Sequence, residues 1–496
     1  MSAYRQLETR FHRIANLNHA LALLQWDLAT MMPEGGAEAR AEEIATLTVL
    51  AHELLTAAPV ADLLAEAEAN RSALDAWQQA NLREMHRQWA HATALDARLV
   101  EALSKANAQC ETIWRKARPE SDFALIKPQL AEVVALQREV AAAKASRLGV
   151  SPYDALLDQW EPGGRAAEID RVFAPLAKVL KPLLEEVLER QASQPPPRLP
   201  EGPFPVERQR ALCERLMGVL GFEFRYGRLD VSLHPFCGGT SDDVRITTRY
   251  SGDGFVQSLM GVLHETGHAL YERGLPAAWR YQPVGEARGM SVHESQSLLM
   301  EMQACRSRPF IVYLAPLARA AFDGKGDAWD AENLYRLYTR VERSLIRVDA
   351  DEVSYPAHVL LRYRLERAML AGELAVADLP GAWNEGMVEL LGISPPDDRR
   401  GCLQDIHWYD GAWGYFPTYT LGAMTAAQLF DAAVRAVPEI PEAIGRGDFG
   451  PLLGWLRTHV HAKGSLLSTE ELITAATGRP LDPAVFERHL RRRYLG

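Results

Sequence analysis

Gly254-Phe255-Val256-Gln257-Ser258-Leu259-Met260-Gly261-Val262-Leu263-His264-Glu265-Thr266-Gly267-His268-Ala269-Leu270-Tyr271-Glu272-Arg273-Gly274 places apolar residues at Val256, Leu259, Val262 and Leu263. These are the three- and four-residue steps of a helix with one buried face. Asp253 is suited to cap its first turn and Gly274 to end it. Within the helix, His264-Glu265-Thr266-Gly267-His268 is an H-E-x-x-H pattern. Residues i and i+4 share a helix face, so both imidazoles can reach one ion while Glu265 points to the adjacent edge. Such a pair suits zinc with one position left open for water. The competing reading is a packed helix face that carries two histidines.

Zinc asks for a third protein ligand. No histidine follows at the H-E-x-x-H-x-x-G-x-x-H spacing. The five cysteines, Cys110, Cys213, Cys237, Cys305 and Cys402, stand far apart without a C-x-x-C pair. That argues against a thiolate site and against a disulfide framework. A carboxylate is therefore expected, from Glu272, Glu286, Glu294 or Glu301. Glu272, one turn beyond His268, reads more naturally as the partner of an imidazole. Glu294 opens the next helical segment, where Ser291-x-x-Glu294 also fits a capping box. A metal on two histidines and a glutamate lowers the pKa of water toward ~7, Glu265 takes the proton, and peptide hydrolysis is the expected reaction.

Toward the N-terminus the helical period continues. Phe11, Ile14, Leu17, Leu21 and Leu24 share one face, Met31 to Gly36 form a break, and further helical patterns cover about 37–55, 72–117, 121–148 and 165–193. The proline-rich stretch Gln191 to Pro205 cannot continue a helix. Around 222–250 the period becomes two, at Phe222, Phe224 and Tyr226, at Leu229, Val231 and Leu233, and at Val244, Ile246, Thr248 and Tyr250. Helical patterns resume at about 254–273, 290–312, 327–347 and 353–372 and in the last eighty residues. The expected fold class is mainly α with a small antiparallel β-sheet near the middle.

The chain has 496 residues, which at ~150 residues per domain suggests about three domain-sized units. Hydrophobic residues at 47% and charged residues at 24% are ordinary globular usage, which excludes collagen-like and disordered classes. Lys+Arg of 54 against Asp+Glu of 65 gives a net charge of -11, which opposes a phosphate-binding face, so no nucleic acid partner is expected. No apolar run approaches the ~18 residues of a membrane helix, and the first residues lack a secretory apolar stretch. No membrane association and a cytoplasmic location are expected.

An ordered set of short motifs runs through the chain. They are His234-Pro235-Phe236, Asp243-Val244-Arg245-Ile246-Thr247, His264-Glu265-Thr266-Gly267-His268, His293-Glu294-Ser295-Gln296, Ile346-Arg347-Val348-Asp349-Ala350-Asp351, and Gly401-Cys402-Leu403-Gln404-Asp405-Ile406-His407-Trp408. Gln25-Trp26-Asp27 with Met32-Pro33 extends the set to the N-terminal region. With these motifs the chain resembles the carboxypeptidase Taq family of metallocarboxypeptidases over nearly its whole length. The resemblance implies a large helical fold of the neurolysin and angiotensin-converting-enzyme type with a deep central groove. It implies one divalent metal per chain, Zn2+ or Co2+, held by His264, His268 and Glu294. It also implies a homodimer that removes C-terminal residues from peptides one at a time, with broad specificity and proline disfavoured.

A carboxypeptidase must hold the free carboxylate of its substrate, and the guanidinium fork of arginine is the apt group. Arg245 shares a strand face with Asp243 and Thr247, where a structural ion pair with Asp243 is the competing reading. Arg347 stands near Asp349 and Asp351, which would otherwise neutralise it. The resemblance favours Arg347 as the anchor, with Arg245 and His234 lining the substrate end of the groove. Attack on a carbonyl also creates an oxyanion that needs donors. By analogy with neurolysin-type architectures, His407 and Tyr419 are the expected pair and Tyr415 the alternate. His293 and Gln296 read equally well as site partners or as packed core. Residues 1–190 are expected to form a wall or lid and 206–496 the metal-site part of a single domain spanning 1–496, with 191–205 as an internal loop. An oligopeptidase cutting short peptides internally, or a non-catalytic helical interaction protein, are the competing functions.

Overall fold

Good helix formers with one apolar stripe settle into helices, at Ala3–Thr30, Ala37–Thr56, Pro59–Ala69, Ala76–Thr93, Ala97–Glu120, Phe123–Leu148 and Ala166–Ala192. The computed structural model describes residues 1–496. The pattern read as one helix over 72–117 is two, because the Asp96 carboxylate accepts from the Leu99 amide at 2.7 Å and starts a new helix. Residues 193–205 carry no regular structure and lie against 327–336. Asn333 Oδ1 accepts from the Arg198 amide at 2.8 Å, and Arg336 donates to the Pro195 carbonyl at 3.1 Å. No single helix is long and apolar enough to cross a membrane.

The sheet has three strands, β1 (Gly227–Val231), β2 (Cys237–Thr240) and β3 (Asp243–Thr248), in the order β1-β3-β2. It is mixed, which corrects the expectation of an antiparallel sheet: β2 and β3 form an antiparallel hairpin, but β1 pairs with β3 in parallel. Alternating burial shows which face is covered and carries no information on strand direction. The direction is set by the crossover 232–236, which carries His234-Pro235-Phe236 past β3. Thr247 on β3 holds this crossover: its hydroxyl is 2.8 Å from the Ser232 hydroxyl and accepts from the Phe236 amide at 3.0 Å. Phe224–Tyr226, expected to extend the sheet, form a 3-10 turn instead.

In the second half the motif helix is Val256–Gly274. Asp253 does not cap it. Its start is fixed by Phe255, buried in an aromatic group where its ring stacks on Trp329 at 5.5 Å and 3°, so tertiary packing replaces a polar cap. The segment expected as one helix over 290–312 is three pieces: a ligand helix Met290–Leu298, a π-helical turn Leu299–Cys305, and a helix Arg308–Ala321. Of 327–347, only Ala331–Tyr338 is α-helical, and Arg347–Asp349 is a 3-10 turn.

Two glycines let the ligand helix approach its neighbours. A Cβ at Gly267 would lie 2.5 Å from the Gln296 carbonyl, and one at Gly422, in the facing helix Pro417–Ala436, would lie 2.8 Å from Glu294 Cβ. The apolar interior divides into two large clusters of 47 and 46 buried residues and a small one of 10, the last built only from residues between Ala3 and Met85.

Candidate active site

The motif helix presents His264 and His268, and Glu294 of the ligand helix faces both. Glu294 Oε2 lies 3.9 Å from His264 Nε2 and 3.6 Å from His268 Nε2. One donor atom from each of the three residues falls within a 4.8 Å group. Tetrahedral zinc with bonds of ~2.0–2.2 Å sets its ligand atoms ~3.3 Å apart, so a small contraction closes the set. The tautomers agree with this use. His268 Nδ1 is 3.1 Å from the His293 carbonyl, which can only accept, so Nδ1 carries the proton and Nε2 keeps its lone pair. His264 Nδ1 is 2.9 Å from the Glu301 carboxylate, which orients it the same way. These residues fit a divalent ion.

Of the four candidate carboxylates, Glu294 faces the histidine pair, and Glu301 stands behind His264. Glu272 bonds His293 Nε2 at 2.9 Å rather than His268, and Glu286 meets Gln88 at 3.3 Å. The capping box read at Ser291-x-x-Glu294 does not form: the helix begins after Gly289, which freely leaves the Glu294 side chain for the histidines. Glu301 is placed by the π-helical turn, where the extra residue per turn rotates it toward His264, and Arg306 donates to it at 2.6 Å. Burial opposes the charge of His264, yet its bond to Glu301 and the charges of Glu294 and Glu301 lift it to about 10, so in the metal-free protein Nε2 carries a proton that an incoming cation displaces. His268, buried and beside His293 and His264, is held well below the usual histidine range. Replacing Glu301 by glutamine is expected to weaken metal affinity about 10- to 100-fold, as losses of such outer partners do. Titration of metal-free protein with Co2+ checks this, and an unchanged dissociation constant would remove Glu301 from that role.

Glu265 lies one residue beyond His264 and is 9% exposed. Burial pushes its carboxyl up to about 7, with His264 opposing. A divalent charge beside it would act in the same lowering sense as His264.

Arg347, 5% exposed, is the end of a second charged group. Its Nε and Nη2 donate to Asp405 Oδ1 at 3.0 and 2.8 Å, and its Nη1 to the Tyr355 hydroxyl at 3.0 Å. Asp349 and Asp351 are not its partners. Arg362 donates to the other oxygen of the same Asp405 at 2.6 Å and to Gln404 Oε1 at 2.7 Å, which also accepts from the Arg347 amide at 2.8 Å. Two buried guanidiniums thus share one carboxylate, and the group keeps a surplus positive charge. Burial works against the Asp405 carboxylate, but Arg347 and Arg362 hold it far below the usual range. Burial and the nearby Arg347 bring Arg362 down to about 10, with Asp405 opposing. Three of the five N–H donors of Arg347 are used, which leaves two. Burial raises the Glu294 carboxyl, and Arg347 is among the charges, after His264 and His293, that oppose the rise.

Arg245 is differently placed. Asp243 takes its fork at 2.6 Å through both nitrogens, and the Trp26 ring lies 4.3 Å from its guanidinium. Arg228, its register partner on β1, lies 5.1 Å from the same ring and is chelated by Asp230. His234 is exposed on the crossover.

His407 Nε2 is 3.0 Å from the Tyr419 hydroxyl, and the Tyr419 ring lies 4.8 Å from the Arg347 guanidinium. Tyr419 sits one turn before Gly422, the residue that meets Glu294, so the same helix brings both to the site. Tyr415 packs edge-on against Tyr419 at 5.1 Å. Burial raises both phenols, Tyr419 to about 12, and the Glu294 carboxylate adds to the rise in each. Burial and Arg347 lower His407 to about 3, so it is neutral. The structure therefore brings His264, Glu265, His268, Glu294, Arg347, His407, Tyr415 and Tyr419 together. Sequence reading missed Asp405, Gln404 and Tyr355 as partners of Arg347, and Arg362 as the second donor to Asp405 and Gln404. Asp405 and Gln404 were visible only as members of the Gly401–Trp408 motif.

Residues 6–494 match the family described as Carboxypeptidase Taq (M32) metallopeptidase. Thermostable carboxypeptidase 1 of Thermus thermophilus is 39% identical over 503 residues, covering 99% of this chain and 98% of that protein. Among solved structures, Trypanosoma cruzi metallocarboxypeptidase 1 is similar with a TM-score of 0.98 at 43% identity, over 100% of this chain and 99% of the other. The M32 carboxypeptidase from Deinococcus radiodurans R1 is similar with a TM-score of 0.93 at 37% identity, over 99% of this chain and 98% of the other.

Proposed function

From the premise that this chain belongs to the carboxypeptidase Taq (M32) family of metallopeptidases, and is a metallocarboxypeptidase, we propose that it releases single C-terminal residues from peptides, with broad specificity and proline disfavoured. His264, His268 and Glu294 hold one divalent ion in this reading, Zn2+ first and Co2+ as the alternative. The ion, when bound, supplies Lewis acidity for the scissile carbonyl and a lowered pKa for water.

The chain's own groups do the rest. Arg347 donates its two unused N–H groups to the terminal carboxylate, which seats the last peptide bond beside Glu265. Glu265 accepts the proton of the attacking water and passes it to the departing amine. With its proton on Nε2, neutral His407 donates to Tyr419 and leaves the phenol hydrogen free for the substrate oxygen as negative charge develops there. Tyr415 is the alternate donor; His234 and Arg245, whose fork Asp243 already holds, line the substrate side of the groove without anchoring the carboxylate. The observation that carries the exopeptidase reading is the surplus guanidinium of the Arg347, Arg362 and Asp405 group, since an endopeptidase has no use for an unneutralised buried cation there.

A single functional unit over 1–496, with 1–190 as wall or lid, is part of this proposal, supported by the bonds that tie 158–163 and 76–93 to residues 286–291. A homodimer and a cytoplasmic location rest on the family resemblance. The test is a metal-loaded protein with a free-ended peptide ladder and the same peptides amidated at the C-terminus, read by mass. Sequential loss of terminal residues from free peptides and no cleavage of the amides is expected. Equal cleavage of amidated peptides would favour the oligopeptidase.

A further inference from the structure

The ligand helix lacks a cap of its own. It starts after Gly289, whose φ of 109° is open to glycine, and no side chain of the segment caps it. Its first amides are satisfied from a distant turn. The Met290 amide donates to the Trp160 carbonyl at 2.8 Å, and the Ser291 amide donates to Glu161 Oε2 at 3.1 Å. Glu161 is 4% exposed, and its other oxygen accepts from the Thr469 hydroxyl at 2.5 Å, at the start of helix Thr469–Thr477. One carboxylate therefore caps the ligand helix and is itself held by a hydroxyl of a second helix, whose own amides Ser468 and Glu471 cap. Gly289 also makes room for it, since a Cβ there would lie 2.9 Å from Pro162 and 3.3 Å from Glu161 Oε2.

The turn is fixed in its turn by charge. Arg288, 3% exposed, donates to the Pro162 carbonyl at 3.1 Å and to Glu84 Oε1 at 2.8 Å. Glu294 lies one turn beyond the capped amides, so a shift or fraying of the helix start displaces the carboxylate that faces His264 and His268.

We infer that Glu161 is a positioning residue for the ligand Glu294, capping its helix from 130 residues away. The inference rests on the reading of Glu294 as a metal ligand. An alanine at 161 leaves the Ser291 amide buried and unpaired, whereas glutamine keeps one acceptor for it. The ligand carboxylate then loses its fixed direction, and the set of three no longer closes on one ion without further cost.

The test titrates metal-free protein with Co2+ alone, following the visible absorption of the bound ion. Glu161→Ala is expected to raise the Co2+ dissociation constant about tenfold or more and to change the band shape, with Glu161→Gln between it and wild type. Asn333→Ala, which loosens the 193–205 loop far from the site, is expected to lower Tm without changing Co2+ affinity. A folded Glu161→Ala protein with wild-type affinity and spectrum would overturn the inference. If that variant does not fold, the same reading is taken from Glu161→Met, which keeps the length of the side chain but offers the Ser291 amide no oxygen, and wild-type affinity and spectrum there would overturn the inference equally. Glu294→Ala is measured alongside: wild-type Co2+ binding in that protein would refute the ligand assignment itself, separately from the role of Glu161.

Discussion

Glu265→Gln is expected to lower kcat/KM by about 10²- to 10⁴-fold while leaving Co2+ or Zn2+ affinity unchanged. The amide has the size of the carboxylate but cannot accept the proton of the attacking water. Glu265 is not one of the three residues whose donor atoms converge, so the metal set stays intact. Stability separates this outcome from structural damage. Burial raises the Glu265 pKa above its value in an unfolded chain, so its ionised form opposes folding as pH rises through about 7 in the metal-free protein. Glutamine removes that penalty, and the metal-free variant is expected to melt no lower than wild type at pH 8. Steady-state kinetics on metal-loaded protein and thermal melts of the metal-free form check both. Wild-type turnover in the loaded variant would remove Glu265 from proton transfer.

Arg347→Ala is expected to cost about 10²- to 10⁴-fold in kcat/KM on free-ended peptides, from two hydrogen bonds to a charged carboxylate at ~1.5–3 kcal/mol each. Asp405 keeps Arg362 at 2.6 Å, so the variant does not leave a buried carboxylate without a cation. The discriminating measurement is the ratio of rates on free and amidated peptides. It is large in wild type and falls toward one in the variant, because only the free terminus uses the lost fork. Arg347→Lys restores the charge without the fork and is expected to recover only part of the loss. A variant whose ratio equals that of wild type would sink the anchor assignment.

Much of this site is legible in the amino-acid sequence alone. The helical period through Val262 and Leu263 set His264 and His268 on one face, and the structure keeps them there. Glu294 was open among four carboxylates on spacing, because the turn of the chain between 274 and 290 is a tertiary fact. The competing reading at Ser291 fails for the same reason: a capping box is a local pattern, and the cap that forms comes from Glu161. Arg347 was readable as a cation near Asp349 and Asp351, but its real partner, Asp405, follows 58 residues later. The π-helical turn at Leu299–Cys305 has the composition of an ordinary helix, so Glu301 could not be aimed from sequence. Strand direction escaped for a different reason, since alternation at Val244 and Ile246 reports a face and not polarity, and on the first strand even the face fails, with Leu229 buried and Val231 exposed.

The division of the apolar interior has a thermodynamic consequence. The small cluster of 10 buried residues that joins Ala3–Thr30, Pro59–Ala69 and Ala76–Thr93 is not continuous with the two clusters that surround the site. What ties that layer across is polar or aromatic: Asn81 with Gln282 at 3.0 Å, Gln282 with the Glu8 carbonyl at 2.9 Å, the ion pair of Glu84 with Arg288 at 2.8 Å, Trp77 stacked on Trp279, and Trp26 over Arg245. Water can replace hydrogen bonds and the partners of a charged pair at modest net cost, whereas separating a shared oil-like interior is expensive. The N-terminal layer therefore has its own, lower rung on the ladder of opening free energies, and solvent reaches the seam beneath it long before either large interior is breached.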